Sequence, residues 1–325
     1  MFQITRIIIG SSFVFSSFLM SANAQEIFDE DIFETNDASL VRISGSIGVL
    51  SLEAKEHVFN GAGSADNLSL LIWQTTAPIL KTSLSIDVSD GWSFDIDAQA
   101  AMSGTSYMEN YDWLLPYRPS FASNDWTDRS IHENTNLDWY LKGAMALGYK
   151  FDVANNASIK LKGGIQYIDV QWAAVGGTYD YSIGAFRDSS GTFADIPGIT
   201  YRQQLPSVFI GLDASAKQGD WTFDVGAKAG ITFAASATDW HWMRDLRFEE
   251  SIVPAPTLAL DASISYSLSE DLDIFVSGSV EKTFLGRSDT TIYVNSSNIN
   301  AGIFSDASGA ELFSASASIG LKAKM

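Results

Sequence analysis

From about residue 40 to its end, the chain alternates apolar and polar positions with a period of two. Trp92, Phe94, Ile96 and Ala98 alternate with Ser93, Asp95, Asp97 and Gln99, and Ile159, Leu161 and Ile165 with Ser158, Lys160, Lys162 and Gln166. Trp221, Phe223 and Val225 alternate with Thr222, Asp224 and Lys228, and Phe313, Ala315, Ala317, Ile319 and Leu321 with Ser314, Ser316, Ser318 and Lys322. That period is the side-chain period of a β-strand with one apolar and one polar face. Counting such runs predicts ten strands, roughly 40–56, 67–87, 92–107, 137–152, 157–173, 199–216, 220–238, 256–268, 272–285 and 311–325.

The connections decide which all-β architecture this is. Ser89-Asp90-Gly91, Val153-Ala154-Asn155-Asn156, Gln218-Gly219-Asp220 and Ser269-Glu270-Asp271 are short, whereas the polar segments 57–66, 108–136, 174–198, 239–253 and 286–309 are long. A soluble sandwich has turns of mixed length at both ends. Short turns at one end and long loops at the other predict a ten-stranded antiparallel transmembrane β-barrel with long extracellular loops. Aromatics at strand ends (Trp92, Trp139, Phe151, Trp172, Trp221, Tyr266) suit the interfacial girdles of such a barrel. Several strands exceed the roughly 9–11 residues that cross a bilayer, so the barrel is expected to project above the outer surface. The last residue is Met325, in the outward register, where an aromatic residue usually ends barrels of this class.

The first residues read as a secretory leader: Arg6, an apolar run from Ile7 to Met20, and a small-x-small cleavage site at Ala22-Asn23-Ala24. The expected organisation is a leader over 1–24, an acidic extension over 25–38 and the barrel over 39–325. No later run reaches the ~18 apolar residues of a membrane helix. The 39 acidic residues against 20 basic give a formal charge of -19, which disfavours nucleic acid and anionic membrane surfaces as partners and favours cationic ones. There is no Cys, so disulfides and Cys-held metals do not enter, and neither a phosphate loop nor a metal-binding His spacing is present, so no cofactor or metal is expected.

Candidate chemistry gathers in two stretches. Thr238-Asp239-Trp240-His241 holds the one His, of three, with an Asp two residues before it; Glu109-Asn110-Tyr111-Asp112 is acidic and lies far upstream. Extending the register of 92–98 turns Asn110 and Asp112 outward, and extending that of 221–233 does the same to Asp239 and His241. A site inside the barrel therefore requires a bulge in each strand.

Four motifs carry a resemblance to a known family. Trp126-Thr127-Asp128-Arg129-Ser130-Ile131-His132-Glu133-Asn134-Thr135 is similar to the W-T-D-x-S-x-H-P-x-T signature of the omptins, outer-membrane endopeptidases, with Glu133 at the family's Pro. Asp112-Trp113 resembles the Asp-Trp upstream of that signature. Gly176-Gly177-Thr178-Tyr179 followed by Phe186-Arg187-Asp188 resembles another omptin stretch, and Asp239-Trp240-His241 resembles the catalytic Asp-x-His.

The resemblance implies a groove at the outer end of a ten-stranded barrel, where an Asp-His couple faces an Asp pair across a water. His241 would be the general base, Asp239 its orienting partner, and Asp112 would hold the water. Asn110 stands where the family has the second Asp, and Asn cannot hold a charge or accept the water's proton. Glu109 is the nearby carboxylate that a bulge could bring in. Glu56 falls at a substrate-binding Glu of the family groove, whereas the family's second pocket acid is here Ala237, which predicts a looser preference for basic residues. Lipopolysaccharide is the family's activator; the outward residues expected to contact it are Ile165, Tyr167 and Asp169, with Asp169 in place of an Arg. His57 and His132 are expected to be structural or solvated. The reading is an outer-membrane endopeptidase, active face extracellular, acting as a single chain on cationic peptides or proteins and embedded in outer-membrane lipid. The alternatives are a catalytically impaired barrel that binds cationic peptides or acts as an adhesin, and a porin, whose channel ten strands would leave narrow.

Overall fold

The computed structural model describes residues 40–325; the expected leader and acidic extension lie outside the described residues. Fifteen strands form one antiparallel sheet: β1 (Val41–Phe59), β2 (Asn67–Ser89), β3 (Trp92–Ala101), β4 (Thr105–Asp112), β5 (Asp128–Ala154), β6 (Ala157–Val175), β7 (Thr178–Tyr181), β8 (Ser189–Thr192), β9 (Pro197–Gln218), β10 (Trp221–Thr232), β11 (Ala235–His241), β12 (Leu246–Ile252), β13 (Pro256–Ser267), β14 (Leu272–Val294) and β15 (Ile299–Lys324). Each pairs with its neighbours and β1 pairs with β15, so the sheet closes on itself and leaves no open edge in the ring.

Fifteen strands stand where ten were expected, for two physical reasons. β3 and β4 run in succession between β2 and β5, β10 and β11 lie along β9, and β12 and β13 lie along β14, so three wall positions are each interrupted once rather than continuous. β7 and β8 are a short hairpin in a connection read from sequence as loop. Much of 239–253 and 286–309 is likewise strand. Above the membrane the outer face of a strand meets water and the inner face a mixed core, so the lipid-type alternation fades while the backbone ladder continues.

β1 shows where the membrane ends. Ile43, Ile47 and Val49 are exposed on the outer face, opposite Ser44, Ser46 and Gly48 on the inner one. Beyond Val49 the faces exchange character: Leu50, Leu52 and Ala54 point inward and are buried, while Ser51, Glu53 and Lys55 point outward. Apolar-out becomes apolar-in because the outer solvent changes from lipid to water. β5 is 27 residues long against the roughly 9–11 that cross a bilayer, so the barrel stands well above it.

Inside the lipid-facing part the lumen is polar and several of its charges pair. Lys160 meets Asp95 at 2.7 Å, Lys162 meets Asp213 at 2.6 Å, and Lys142 is bonded to Glu281. Above them a dry layer fills the bore. Trp73 stacks on Trp172 and Tyr201, with ring centroids 6.1 and 5.7 Å apart, and Trp172 Nε1 donates to Thr75 Oγ1 at 2.7 Å. Trp73, Tyr140, Trp172 and Tyr201 are no more than 1% exposed. Replacing Trp73 by Ala would cost roughly 3–5 kcal/mol. This layer is the floor on which the outer groove rests.

Candidate active site

Two breaks in strand register turn the site inward. Between their pairings with Leu80 and Thr76 of β2, the residues Ala100 and Thr105 are five apart where β2 advances four. Between Ser207 and Gln204 of β9, Thr232 and Ser236 are four apart where β9 advances three. One extra residue flips the face of everything beyond it. Ser103 (φ 58°) and Gly104 (φ 139°) make the first turn-out, and Ala234 (φ 47°) the second. A Cβ on Gly104 would lie 2.6 Å from the carbonyl oxygen of Thr76, so glycine is required there. Beyond the breaks Met108, Asn110 and Asp112 share the inner face of β4, and Ala237, Asp239 and His241 that of β11.

His241 Nε2 lies 2.5 Å from Asp239 Oδ2. Arg244, in the 3-10 turn Trp242–Arg244, reaches His241 Nδ1 from Nη1 at 3.4 Å. The tautomer satisfying both contacts carries its proton on Nε2, donates it to Asp239, and leaves Nδ1 as the basic atom. Asp239 is 1% exposed, and its Oδ1 has no partner among the described residues.

Asp112 is placed by the signature motif. Thr127 donates its backbone N–H to the Asp112 carbonyl at 2.7 Å, and its hydroxyl bridges that carbonyl and the N–H of Leu114. Asn110 Nδ2 donates to Asp112 Oδ2 at 3.0 Å, and Ser69 Oγ donates to Asn110 Oδ1 at 3.0 Å. Burial, with Asp128 nearby, pushes the Asp112 carboxyl up to about 6 against the pull of its hydrogen bonds and of His241. Asn110 keeps one N–H uncommitted among these contacts.

Glu109 is not beside Asp112, and the expectation that it could replace the missing carboxylate is corrected. The break flips the face of β4 but does not bring 109 and 112 together; neighbours at odd spacing still face opposite ways. Glu109 accepts from Arg129 at 2.6 Å, Tyr107 at 2.7 Å and Tyr111 at 2.9 Å on the other face. Burial raises this carboxyl, but those hydrogen bonds outweigh it and hold it low.

Glu56 of β1 is inward and 2% exposed, so it is a buried acid rather than a solvated loop residue. Burial, then Asp239 and Glu250, push its carboxyl well above the usual range. Glu250 of β12, also buried, was missed from sequence because 239–253 read as a loop. The signal existed: Leu246, Phe248, Glu250 and Ile252 form one face of an alternating run, with an acid at an apolar-face position.

The remaining motif residues build the frame. His132 is buried, contacting the Gly176 carbonyl oxygen through Nδ1 at 2.6 Å and Ser130 Oγ through Nε2 at 3.0 Å, and stacks on Phe193. His57 meets Asn67 Oδ1 at 3.1 Å and stacks on Phe59. Arg187 lies 3.5 Å over the Trp126 ring and donates to its carbonyl, and Asp188 accepts the backbone N–H groups of Ile183, Gly184 and Ala185. On the outer wall Asp169 takes a bidentate contact from Arg202 at 2.5 and 2.9 Å and a third donor from Trp139 Nε1.

A closed antiparallel barrel with a lipid-facing apolar belt and a polar inward site at its far end defines an outer-membrane barrel protein. The omptin family profile matches residues 37–325, and the chain belongs to the omptin family of outer-membrane proteases. It is 25% identical over 276 residues to the plasminogen activator of Yersinia pestis, covering 82% of this chain and 84% of that protein. It is 26% identical over 269 residues to the outer membrane protease IcsP of Shigella flexneri, covering 81% and 84%. The crystal structure of the outer membrane protease OmpT from Escherichia coli superposes with a TM-score of 0.80 at 21% identity, over 88% of this chain and 97% of that one, which shows the shared fold.

Proposed function

We propose that the protein hydrolyses peptide bonds at its outward groove, with a water activated by His241 and Asp239. The observation that carries this is the His241–Asp239 contact of 2.5 Å on an inward face that only a one-residue register break produces. As Arg244 gives up its contact, Nδ1 of His241 takes a proton from the water as its oxygen bonds to the scissile carbonyl carbon. The carbonyl π pair moves to oxygen, giving a tetrahedral intermediate. Its collapse breaks the C–N bond, and the proton passes from Nδ1 to the leaving amine, so a carboxylic acid and an amine leave. Asp239 holds the tautomer and offsets the charge of the imidazolium.

Asp112, when ionised, accepts the water's second hydrogen and orients its lone pair. Asn110 supports Asp112 and offers a spare N–H, which fits the developing oxyanion and which the family's Asp could not provide. The groove's carboxylates favour cationic peptides or proteins as substrates. The departure at Asn110 also favours a second reading: a binding surface for such peptides with little turnover. Lipopolysaccharide remains a proposed partner, although the Arg202 guanidinium is already engaged by Asp169.

The deciding experiment is cleavage of a fluorogenic arginine-containing peptide by the refolded protein, beside His241→Ala. Turnover abolished by that substitution supports the enzyme; binding without turnover by the wild type favours the second reading.

A further inference from the structure

β11 and β12 pair in a register that sets Ala237 directly opposite Glu250. Both side chains face inward, 2% and 3% exposed. Opposed residues of an antiparallel pair have Cβ atoms about 4.5–5.5 Å apart, so a glutamate can fold back over the methyl of an opposing alanine. Ser288 Oγ approaches Glu250 Oε2 at 3.5 Å from β14 and is itself bonded to Ser308, which braces the outer side of the carboxylate.

Glu250 is not alone. Asp239 of β11 lies close enough to bear on the carboxyls of both Glu56 of β1 and Glu250. Burying three carboxylates together is costly unless a cation is added. Among the described residues neither Glu56 nor Glu250 has a Lys or Arg in ion-pair contact. Glu56 Oε2 and Asp239 Oδ1 are buried acceptors without a partner.

We propose that Glu250 is a specificity-determining residue: it supplies from β12 the carboxylate that Ala237 lacks on β11, and with Glu56 it receives the guanidinium or ammonium of the residue beside the scissile bond. This rests on the catalytic reading above for its place in turnover, but not for the binding it asserts. A guanidinium would donate to the unpartnered oxygens and offset the shared charge.

The test uses two fluorogenic peptides identical except for Arg or norleucine before the scissile bond, with wild type and Glu250→Gln. Expected is a loss of about 10- to 100-fold in kcat/KM on the Arg peptide, as when one partner of a charge-assisted hydrogen bond is removed, with the norleucine peptide unchanged. Adding Ala237→Asp to Glu250→Gln should restore the Arg preference. Equal loss on both peptides, or no loss on either, overturns the proposal. If the wild type cleaves neither peptide, the catalytic reading fails, and equilibrium binding of both peptides to His241→Ala decides alone. An Arg preference that Glu250→Gln removes then sustains the pocket; the absence of any preference overturns it.

Discussion

Asn110 spends one amide hydrogen on Asp112, donating from Nδ2 to Oδ2 at 3.0 Å. That bond lowers the carboxyl of Asp112 against the burial that raises it to about 6. Asn110→Asp would replace the donor by a like charge and push Asp112 further up. The acid limb of kcat/KM should therefore move to higher pH in this variant. A profile of kcat/KM against pH for the two proteins checks it, and a shift to lower pH would contradict the arrangement.

In the wild type, ionised Asp112 and neutral His241 are both required to activate the water. Activity should fall as pH drops through about 6, because Asp112 gains a proton there. Asp112→Asn should change the shape of this acid limb and lower kcat/KM by about 100-fold or more. An acid limb left unchanged by Asp112→Asn would remove Asp112 from the reaction.

Asp239→Asn keeps the size of the side chain but lets it donate to Nε2, which forces the proton of His241 onto Nδ1 and blocks the base. A drop of about 100- to 10,000-fold in kcat is expected, with KM little changed. Single-turnover kinetics on a saturating peptide measures this directly.

Glu250 links the pocket to stability. Burial, with Asp239 beside it, raises its carboxyl from an ordinary 4.5 to about 7. The folded state then holds the proton more tightly than the unfolded chain. Stability from this group is full below about 4.5 and is lost as pH rises through about 7. Glu250→Gln should remove that decline and unfold at higher urea than wild type at pH 8, by on the order of 1–3 kcal/mol, while the two converge at pH 5. Urea titrations in detergent at both pH values settle the sign. A variant that gains stability as it loses arginine preference would be a local case of function set against stability.

Asp169→Ala should free the Arg202 guanidinium on the outer wall, now held at 2.5 and 2.9 Å. A freed guanidinium can take a phosphate oxygen pair. Lipopolysaccharide should accordingly stimulate the variant more than the wild type in parallel peptide assays.

Much of the barrel could be read from alternation because lipid enforces a strict apolar face: Trp221, Phe223 and Val225 announce a lipid-facing strand on their own. The upper wall could not. In 286–309 the residues facing out meet water and those facing in meet a mixed core, so the ladder of β14 and β15 leaves no simple pattern. Asp239 and His241 were found through their spacing and their motif, and the need for a register break followed from alternation. Which residue would make the break was hidden, since Ser103 and Ala234 adopt positive φ without being glycine. Glu109 misled because proximity in sequence says nothing about face. Glu250 escaped because its partner, Ala237, is a residue whose importance lies in being small.

The stacked layer of Trp73, Trp172 and Tyr201 sets buried rings across the bore between the outer groove and the charged lumen. A barrel stoppered in this way is expected to conduct ions poorly. Loosening the stopper, as Trp73→Ala would, turns an impermeable wall element into a leak, and its first symptom in a living cell would be sensitivity to large antibiotics rather than loss of proteolysis.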